Sequence, residues 1–174
     1  MTARTDAYAS ALLEIAKAEG SLSRVEDELF KVARTLEGNE QLLSTLTDKS
    51  IPVERRQGIV EDLFKKKASP VTTALVSFVV TAGRGKDLPA IIDKLVAQAA
   101  EERDEAVAEV RTVIPLNADQ QTRMAAALSQ ATGKRVSVKV IVDPTVLGGV
   151  IARIGDTVID GSIRHRLDQL REQF

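Results

Sequence analysis

The sequence contains no cysteine and a single histidine, His165. Without cysteine there can be no disulfide, no thiol nucleophile and no zinc site built on thiolates. One histidine is also too few for a histidine-rich metal site. We therefore expect neither a bound metal nor a cofactor in this protein.

Aromatic residues make up only 3% of the chain and there is no tryptophan, whereas apolar residues make up 44%. The core must therefore consist of Leu, Val, Ile and Ala, which favours packed helices over an aromatic-rich β-sandwich. The shortage of flat side chains also argues against binding to single-stranded nucleic acid, which needs platforms for base stacking.

Charge of one sign is not in excess, since the formal net charge is −1. Residues 1–105 hold 15 Lys and Arg against 18 Asp and Glu, and residues 106–174 hold 9 against 7. The C-terminal part is therefore mildly basic. No long apolar run approaches the roughly 18 residues of a membrane span, and the N-terminus does not resemble a secretory signal. We expect a soluble protein on the cytosolic side.

Helical periodicity dominates the first part of the chain and predicts six short helices over residues 1–105. Two of the stripes expected to face the core are Tyr8, Ala11, Leu12 and Ile15 in the first helix, and Val71, Leu75, Phe78, Val79 and Ala82 in the fifth. The charged run of residues 101–105 is expected to connect this bundle to a second domain.

The period changes to two after residue 105, which predicts a strand, a helix capped by Asn117 and Gly133, and a second strand rich in valine. A hairpin turning at Gly155-Asp156 and a terminal amphipathic helix follow. The fold class is thus α+β: a six-helix bundle, residues 1–105, followed by a small α/β domain, residues 106–174, with a short sheet and a terminal helix.

The candidate chemical sites are better explained as local structure. Gly83-Arg-Gly-Lys86 lacks the spacing of a phosphate-binding loop and is interpreted as a helix end. Asp143, Asp156 and Asp160 suggest turn or cap chemistry rather than a carboxylate pair. His165 has no companion that would make it a general base. We therefore predict that the protein is not an enzyme.

A local basic cluster leaves one alternative open. Arg55 and Arg56 lie a few residues before the run Lys65-Lys-Lys67. This cluster lacks an aromatic platform and a recognition-helix pattern, so a solvated helix end is the favoured interpretation. The alternative function is that of a nucleic-acid-associated regulatory protein that uses these cations.

A long motif near the C-terminus carries a family resemblance. It reads Gly149-Val-Ile-Ala-Arg-Ile-Gly-Asp-Thr-Val-Ile-Asp-Gly-Ser-Ile-Arg-His-Arg-Leu-Asp-Gln-Leu170. The motif resembles the C-terminal signature of the delta subunit of bacterial F-type ATP synthases, the family of the mitochondrial oligomycin-sensitivity-conferring protein. Tyr8-Ala-Ser-Ala-Leu-Leu-Glu-Ile-Ala16 is similar to the family's first helix, and the predicted layout is that of the family.

The resemblance implies a non-catalytic subunit of the peripheral stalk, or stator, of a proton-translocating ATP synthase. Such a subunit binds the N-terminal helices of the α subunit at the top of the catalytic head and the C-terminal helices of the membrane-anchored b subunits. It is peripheral on the cytoplasmic face of the cell inner membrane, associated with the membrane only through the complex, and serves proton transport and ATP synthesis without an active site of its own.

The resemblance also implies where the partners bind. In the family, the α-subunit helix occupies a groove between the first and fifth bundle helices. Here that groove would be lined by residues of the predicted helices 1 and 5, namely Tyr8, Leu12, Ile15, Leu75, Val76 and Val79. On the mildly basic C-terminal domain, Arg164, Arg166 and Arg171 are expected to meet acidic positions of the b subunit, where exposed pairs tune orientation more than affinity.

Overall fold

A computed structural model describes residues 2–65, 67–146 and 148–161. The chain divides into two compact units, Met1–Ala99 and Ala100–Phe174. We call them the helical unit and the sheet unit. The boundary lies slightly before the one expected from the charged run at residues 101–105.

Six α-helices precede the first strand in the described part of the chain, as the periodicity predicted. They are α1 (Thr2–Ala18), α2 (Leu22–Glu37), α3 (Glu40–Thr47), α4 (Val53–Phe64), α5 (Pro70–Thr81) and α6 (Leu88–Glu102), with a 3-10 turn at Gly85–Asp87 before α6.

The helix ends follow from local side-chain chemistry. The Asn39 side chain accepts a hydrogen bond from the Leu42 amide at 2.9 Å and begins α3. The Ser69 hydroxyl accepts from the Thr72 amide at 3.3 Å, and Pro70 occupies the first turn of α5, where its missing amide donor is not needed. After α5 the chain turns at Gly83, whose φ of +72° favours glycine.

Large aliphatic side chains fill the core of the helical unit. Those with less than 2% of their surface exposed include Leu12, Leu29, Leu36, Leu46, Leu88, Ile91, Ile92, Leu95, Val25, Val60 and Val76. In α2, Val25, Leu29, Val32 and Leu36 follow one another in steps of four and three residues and are all buried, as in a heptad seam.

The buried stripe of α1 differs from the predicted one. The buried residues are Ala9, Leu12, Leu13 and Ala16, whereas Tyr8 is half-buried and Ala11 is exposed, as is Ile15 at 43% of its surface. Both sets have helical spacing, so periodicity alone cannot choose between them. Helix α6 is linked to α1 by a Ser10–Gln98 hydrogen bond of 3.2 Å and an Asp6–Lys94 ion pair of 3.4 Å.

The predicted stripe of α5 is also wrong in part. Leu75 and Val79 are buried, but Ala82 is exposed, as is 51% of the Phe78 surface. Val76 and Val80 are buried in their place. The helix carries apolar residues around most of its circumference, so the bundle can cover only some of them.

A partly buried carboxylate, that of Glu28, ties α2 to the start of α5. Glu28 Oε2 accepts hydrogen bonds from the Ser69 amide at 2.7 Å and the Thr72 hydroxyl at 2.6 Å, and its other oxygen accepts from Arg24 at 2.8 Å. Burial raises the pKa of Glu28, but the hydrogen bonds from Thr72, Arg24 and Ser69 outweigh it and lower the pKa from 4.5 to about 2. The charged form is therefore strongly favoured in the folded state.

The sheet unit contains four described strands and one described helix besides the end of α6. They are β1 (Glu105–Thr112), α7 (Ala118–Thr132), β2 (Arg135–Val142), β3 (Val150–Ile154) and β4 (Thr157–Asp160). The strand order is β2-β1-β3-β4; β1 and β2 pair in parallel, and the other neighbours are antiparallel.

The predicted order of strand, helix, strand and hairpin is confirmed. Asn117 forms a capping box with Gln120 at the start of α7, and Gly133 ends the helix at a φ of +70°. Ile154 pairs with Thr157 across the turn at Gly155-Asp156. Strand β1 buries Ala108 and Val110 together with Leu128 of α7. The predicted terminal helix lies outside the described residues.

Candidate partner-binding surfaces

Within the described ranges there is no group of three or more His, Cys, Asp or Glu that could hold a metal ion. The described residues also contain no helix that is both long and apolar enough to cross a membrane.

Asp143 stabilises a turn, as the sequence indicated. Its Oδ1 accepts from the Thr145 amide at 2.9 Å and the Thr145 hydroxyl at 2.6 Å, and its Oδ2 accepts from Arg111 at 3.3 Å. The hydrogen bonds from Thr145 are the main cause that lowers the pKa of Asp143 below its usual value. A carboxylate held in its charged form by turn hydrogen bonds is poorly suited to proton transfer.

The Gly83-Arg-Gly-Lys86 segment is a connection between helices, as predicted. A methyl group added to Gly85 would lie 3.2 Å from the carbonyl oxygen of Leu46, so glycine permits a close approach of two backbone segments there. Arg84 pairs with Asp87 at 3.1 Å within the same turn. This arrangement explains both glycines without a bound phosphate.

Arg56 of the basic cluster is a structural residue. Only 6% of its surface is exposed, and its guanidinium donates to the carbonyl oxygens of Ile51 at 3.2 Å and Leu46 at 3.4 Å. Leu46 lies in the last turn of α3, so Arg56 satisfies a carbonyl at the end of that helix. It is not available to a phosphate group.

The six apolar residues predicted for the α-subunit groove fall into two sets. Leu12, Leu75, Val76 and Val79 each expose 4% of their surface or less and belong to the core of the helical unit. Tyr8 is half-buried, and Ile15 is largely exposed. Only two of the six predicted residues therefore lie where a partner can reach them.

Phe78 joins Tyr8 on that surface, and the sequence interpretation missed it. The two ring centroids lie 6.1 Å apart with the planes tilted by 44°, so the pair connects α1 with α5. We define Tyr8, Ile15 and Phe78 as the α1/α5 surface. A signal for Phe78 existed in the sequence, because α5 carries more apolar residues than one buried face of a helix can hold.

The residues predicted to meet the b subunit are Arg164, Arg166 and Arg171. They lie outside the described residues, as does His165. The described part of the sheet unit exposes other large apolar side chains. Val113, Ile114 and Val142 follow or end the parallel strands β1 and β2 and expose 39%, 62% and 47% of their surfaces.

One protein family matches both the helical unit and the sheet unit. A model of the family described as "ATP synthase delta (OSCP) subunit" matches residues 5–174. The chain is 42% identical over 164 residues to the ATP synthase subunit delta of Nocardia farcinica, an alignment that covers 94% of this chain and 61% of the relative. It is 40% identical over 162 residues to that of Salinispora arenicola, covering 93% and 59%.

A solved structure has a similar fold along the same length. A chain of the Toxoplasma gondii mitochondrial ATP synthase hexamer, determined by cryo-electron microscopy, superposes with a TM-score of 0.56 at 25% identity and covers 97% of this chain and 96% of that one. This chain spans about three fifths of the length of the curated relatives that it matches. The family match covers nearly all of the sequence, and the chain belongs to the ATP synthase delta (OSCP) subunit family.

Proposed function

We propose that the protein is a non-catalytic peripheral-stalk subunit of a proton-translocating F-type ATP synthase. It links the catalytic head to the membrane-anchored b subunits and resists the torque of the rotor. The observation that carries this proposal is the match of the family to residues 5–174, which includes both the helical unit and the sheet unit.

The α1/α5 surface is the proposed binding site for an N-terminal helix of the α subunit. Phe78 exposes 51% and Ile15 43% of their surfaces, and Tyr8 packs against Phe78. Exposed apolar side chains on rigid helices are the usual receptor for the apolar face of a partner helix. Leu12, Leu75, Val76 and Val79 are buried in the core of the helical unit, where they hold α1 and α5 in place.

The sheet unit is the proposed attachment point for the C-terminal helices of the b subunits. Arg164, Arg166 and Arg171 remain the candidate contacts with acidic residues of those helices. Because exposed ion pairs contribute little free energy, they would set the orientation and the salt dependence of the contact. The protein would then lie on the cytoplasmic face of the inner membrane and be held there only by its partners.

A stator requires stiffness more than chemistry, and the helical unit has the features of a stiff body. Its core contains fully buried aliphatic side chains. The hydrogen bonds that Glu28 accepts from Ser69 and Thr72, which we call the Glu28 clamp, tie α2 to α5. A closely packed interior deforms little under load. No catalytic group is needed for this role.

The alternative function in nucleic-acid binding is disfavoured by one contact. Arg56, one of its five candidate cations, is buried and donates to the carbonyl oxygens of Ile51 and Leu46. Phosphate recognition needs cations that can reach a backbone. Nucleic acid that co-purifies with the protein and is lost after nuclease treatment would support this alternative.

The test is an isothermal calorimetric titration of the protein with a peptide of the α-subunit N-terminal helix. Phe78→Ser removes the most exposed apolar side chain of the α1/α5 surface and should weaken binding roughly tenfold or more, as for other central aromatic contacts. The matched control is Val53→Ser, since Val53 exposes 39% of its surface but starts α4. Equal loss in both variants would contradict the assignment.

The b-subunit contact is tested separately by reversing the charge of all three arginines, R164E, R166E and R171E. Co-purification with the b subunits should then fall and lose its salt dependence, while the peptide titration should not change. Unchanged assembly with unchanged salt sensitivity would remove these arginines from the interface.

A further inference from the structure

One end of the four-stranded sheet carries exposed aliphatic side chains. Val113, Ile114 and Val142 lie there, and we call them the strand-end patch. On the basis of the function proposed above, we propose that the strand-end patch is the apolar half of the b-subunit contact. It fits a helix that has an aliphatic face and an acidic flank.

Strand pairing brings four segments of the chain to this end of the sheet. Thr112, the last residue of β1, pairs with Val142 of β2 and with Val150 of β3. Gly161, which follows β4, donates its amide to the Val150 carbonyl at 2.9 Å. Because neighbouring strands lie about 4.8 Å apart, the row of four strand ends is roughly 14 Å wide, or about ten residues of a helix.

The chain continues from this same end of the sheet towards the three candidate arginines. Arg164, Arg166 and Arg171 follow Gly161 by three, five and ten residues in the sequence. Three residues span at most about 11 Å, so Arg164 starts close to the strand ends in any conformation. A helix whose carboxylate meets Arg164 is therefore brought near the strand-end patch.

Local hydrogen bonds hold the two strand ends that present the patch. The Asp143 amide donates to the Thr112 carbonyl at 2.8 Å, and the Asp143 carboxylate accepts from Arg111 at 3.3 Å. Val146, in the turn that follows, is buried. A surface held by its own backbone is formed before the partner arrives, which reduces the ordering cost of binding.

The opposite end of the sheet is charged and suits an aliphatic partner poorly. Glu105 begins β1, pairs in register with Arg135 of β2 and forms an ion pair with Arg103 at 3.0 Å. An aliphatic helix face that docked there would have to desolvate these charges, which is unfavourable. At the strand-end patch the same face would cover aliphatic side chains, which is favourable.

The chemistry of the surface defines the occupant. The strand-end patch needs aliphatic partner side chains, and the arginines beyond Gly161 need carboxylates. Burial of the aliphatic area would supply affinity, whereas exposed arginine–carboxylate pairs would set the orientation. We therefore expect the C-terminal helix of the b subunit to carry aliphatic residues at helical spacing on one face, with Asp or Glu beside them.

The experiment is a titration of the full chain with the C-terminal segment of the b subunit at two salt concentrations. Ile114→Ser should weaken binding roughly fivefold or more and leave its salt dependence unchanged, because an aliphatic contact is lost. The matched control is Val158→Ser. Val158 is 59% exposed against 62% for Ile114, but it pairs with Arg153 on the turn side of the hairpin. This control should change the affinity by less than about twofold.

A changed partner tests the chemistry of the contact. A b segment whose aliphatic residues on one helix face are replaced by serine should bind wild type and Ile114→Ser equally, because the contact is already lost. Amide chemical shifts of Ala108 and Leu128, which lie in the buried cluster of the sheet unit, should be the same in wild type and both variants. Unchanged shifts show that each variant keeps its fold.

The strand-end patch and the proposed function can fail separately. If wild type binds the b segment but Ile114→Ser and Val158→Ser lose the same affinity, the patch is not the contact and the proposed function stands. If wild type does not bind the b segment, the proposed attachment of the sheet unit fails as well. Binding to phosphatidylglycerol vesicles, or self-association in sedimentation, that depends on Ile114 while b binding does not would assign the patch to a membrane or to a second copy.

Discussion

The two units treat their apolar residues differently. Every one of the largest fully buried side chains lies in the helical unit, among them Leu29, Leu46 and Leu95. The described part of the sheet unit, residues 100–146 and 148–161, by contrast exposes five large apolar side chains: Val113, Ile114, Val142, Val158 and Ile159. The helical unit thus encloses its large aliphatic side chains more completely than the described part of the sheet unit does. In the proposed stator, the helical unit would be the stiffer body, and the exposed apolar residues of the sheet unit would be available for contacts with a partner.

The largest expected effect is loss of a core side chain from the helical unit. Leu29→Ala should lower the free energy of unfolding of that unit by about 4 kcal/mol, and Leu128→Ala should lower that of the sheet unit by roughly 2 kcal/mol, because Leu128 is less completely enclosed. Hydrogen exchange during urea titration reports on each unit separately.

Ile15→Ala is the control for these core variants, since the side chain is 43% exposed. It should change stability by no more than about 0.5 kcal/mol. An equal cost for Leu29→Ala and Leu128→Ala would remove the contrast between the two cores.

The Glu28 clamp should make the helical unit sensitive to acid. Its pKa is about 2 in the folded state, below the ordinary value of 4.5. The stabilisation is therefore fully present above pH 4.5 and is lost as the pH falls towards 2. Glu28→Gln should cost on the order of 2 kcal/mol at pH 7 and progressively less on acidification.

Stability curves from pH 7 to pH 2 measure this prediction. Glu14→Gln is the control, because Glu14 also pairs with a cation, Lys17 at 2.9 Å, but its side chain is 71% exposed. The clamp would be unimportant if the two variants lost the same stability at pH 7.

A pair of glycine substitutions should change the stabilities of the two units in opposite directions. Gly133 ends α7 at a φ of +70°, so Gly133→Ala should destabilise the sheet unit by about 1 kcal/mol through backbone strain. Gly58 lies inside α4 with no atom within 4 Å of an added methyl group, so Gly58→Ala should stabilise the helical unit by roughly 0.5–1 kcal/mol. Thermal unfolding measures both, and shifts of the same sign would contradict the assigned conformations.

The smallest expected effect concerns the exposed residues of the sheet unit. Ile114→Ser replaces a side chain that is 62% exposed and should change stability by less than about 0.5 kcal/mol. Urea unfolding of the isolated protein is the measurement. A loss above about 2 kcal/mol would mean that Ile114 belongs to a core rather than to a surface.

Much of the fold could be predicted from the sequence because the signals were local. Helix α7 begins at the side-chain cap of Asn117 and ends at Gly133. Pro70 begins α5, and Gly155 lies in the turn of the hairpin. Each of these features depends on the local preference of one residue. The steps of four and three residues from Val25 to Leu36 are likewise a local signal for the buried seam of α2. These features need no knowledge of the neighbouring elements.

The candidate site could be predicted only in part because burial depends on neighbours. In α1, two stripes have the same helical spacing, and the structure buries the one that contains Ala9 and Ala16 and leaves Ile15 exposed. In α5, nearly every face is apolar, so periodicity cannot show that Phe78 faces outwards. Arg56 looked like a free cation, yet its fixed position comes from a contact with α3 that lies ten residues away.

The two units are proposed to hold different partners, and one binding experiment with two variants tests this division most directly. Phe78→Ser and a chain ending at residue 161 are each titrated with the α-subunit N-terminal peptide and with the C-terminal segment of the b subunit. We predict that Phe78→Ser weakens only the α-subunit peptide and that the truncation weakens only the b segment. A loss of both partners in either variant, or of neither, would contradict the account.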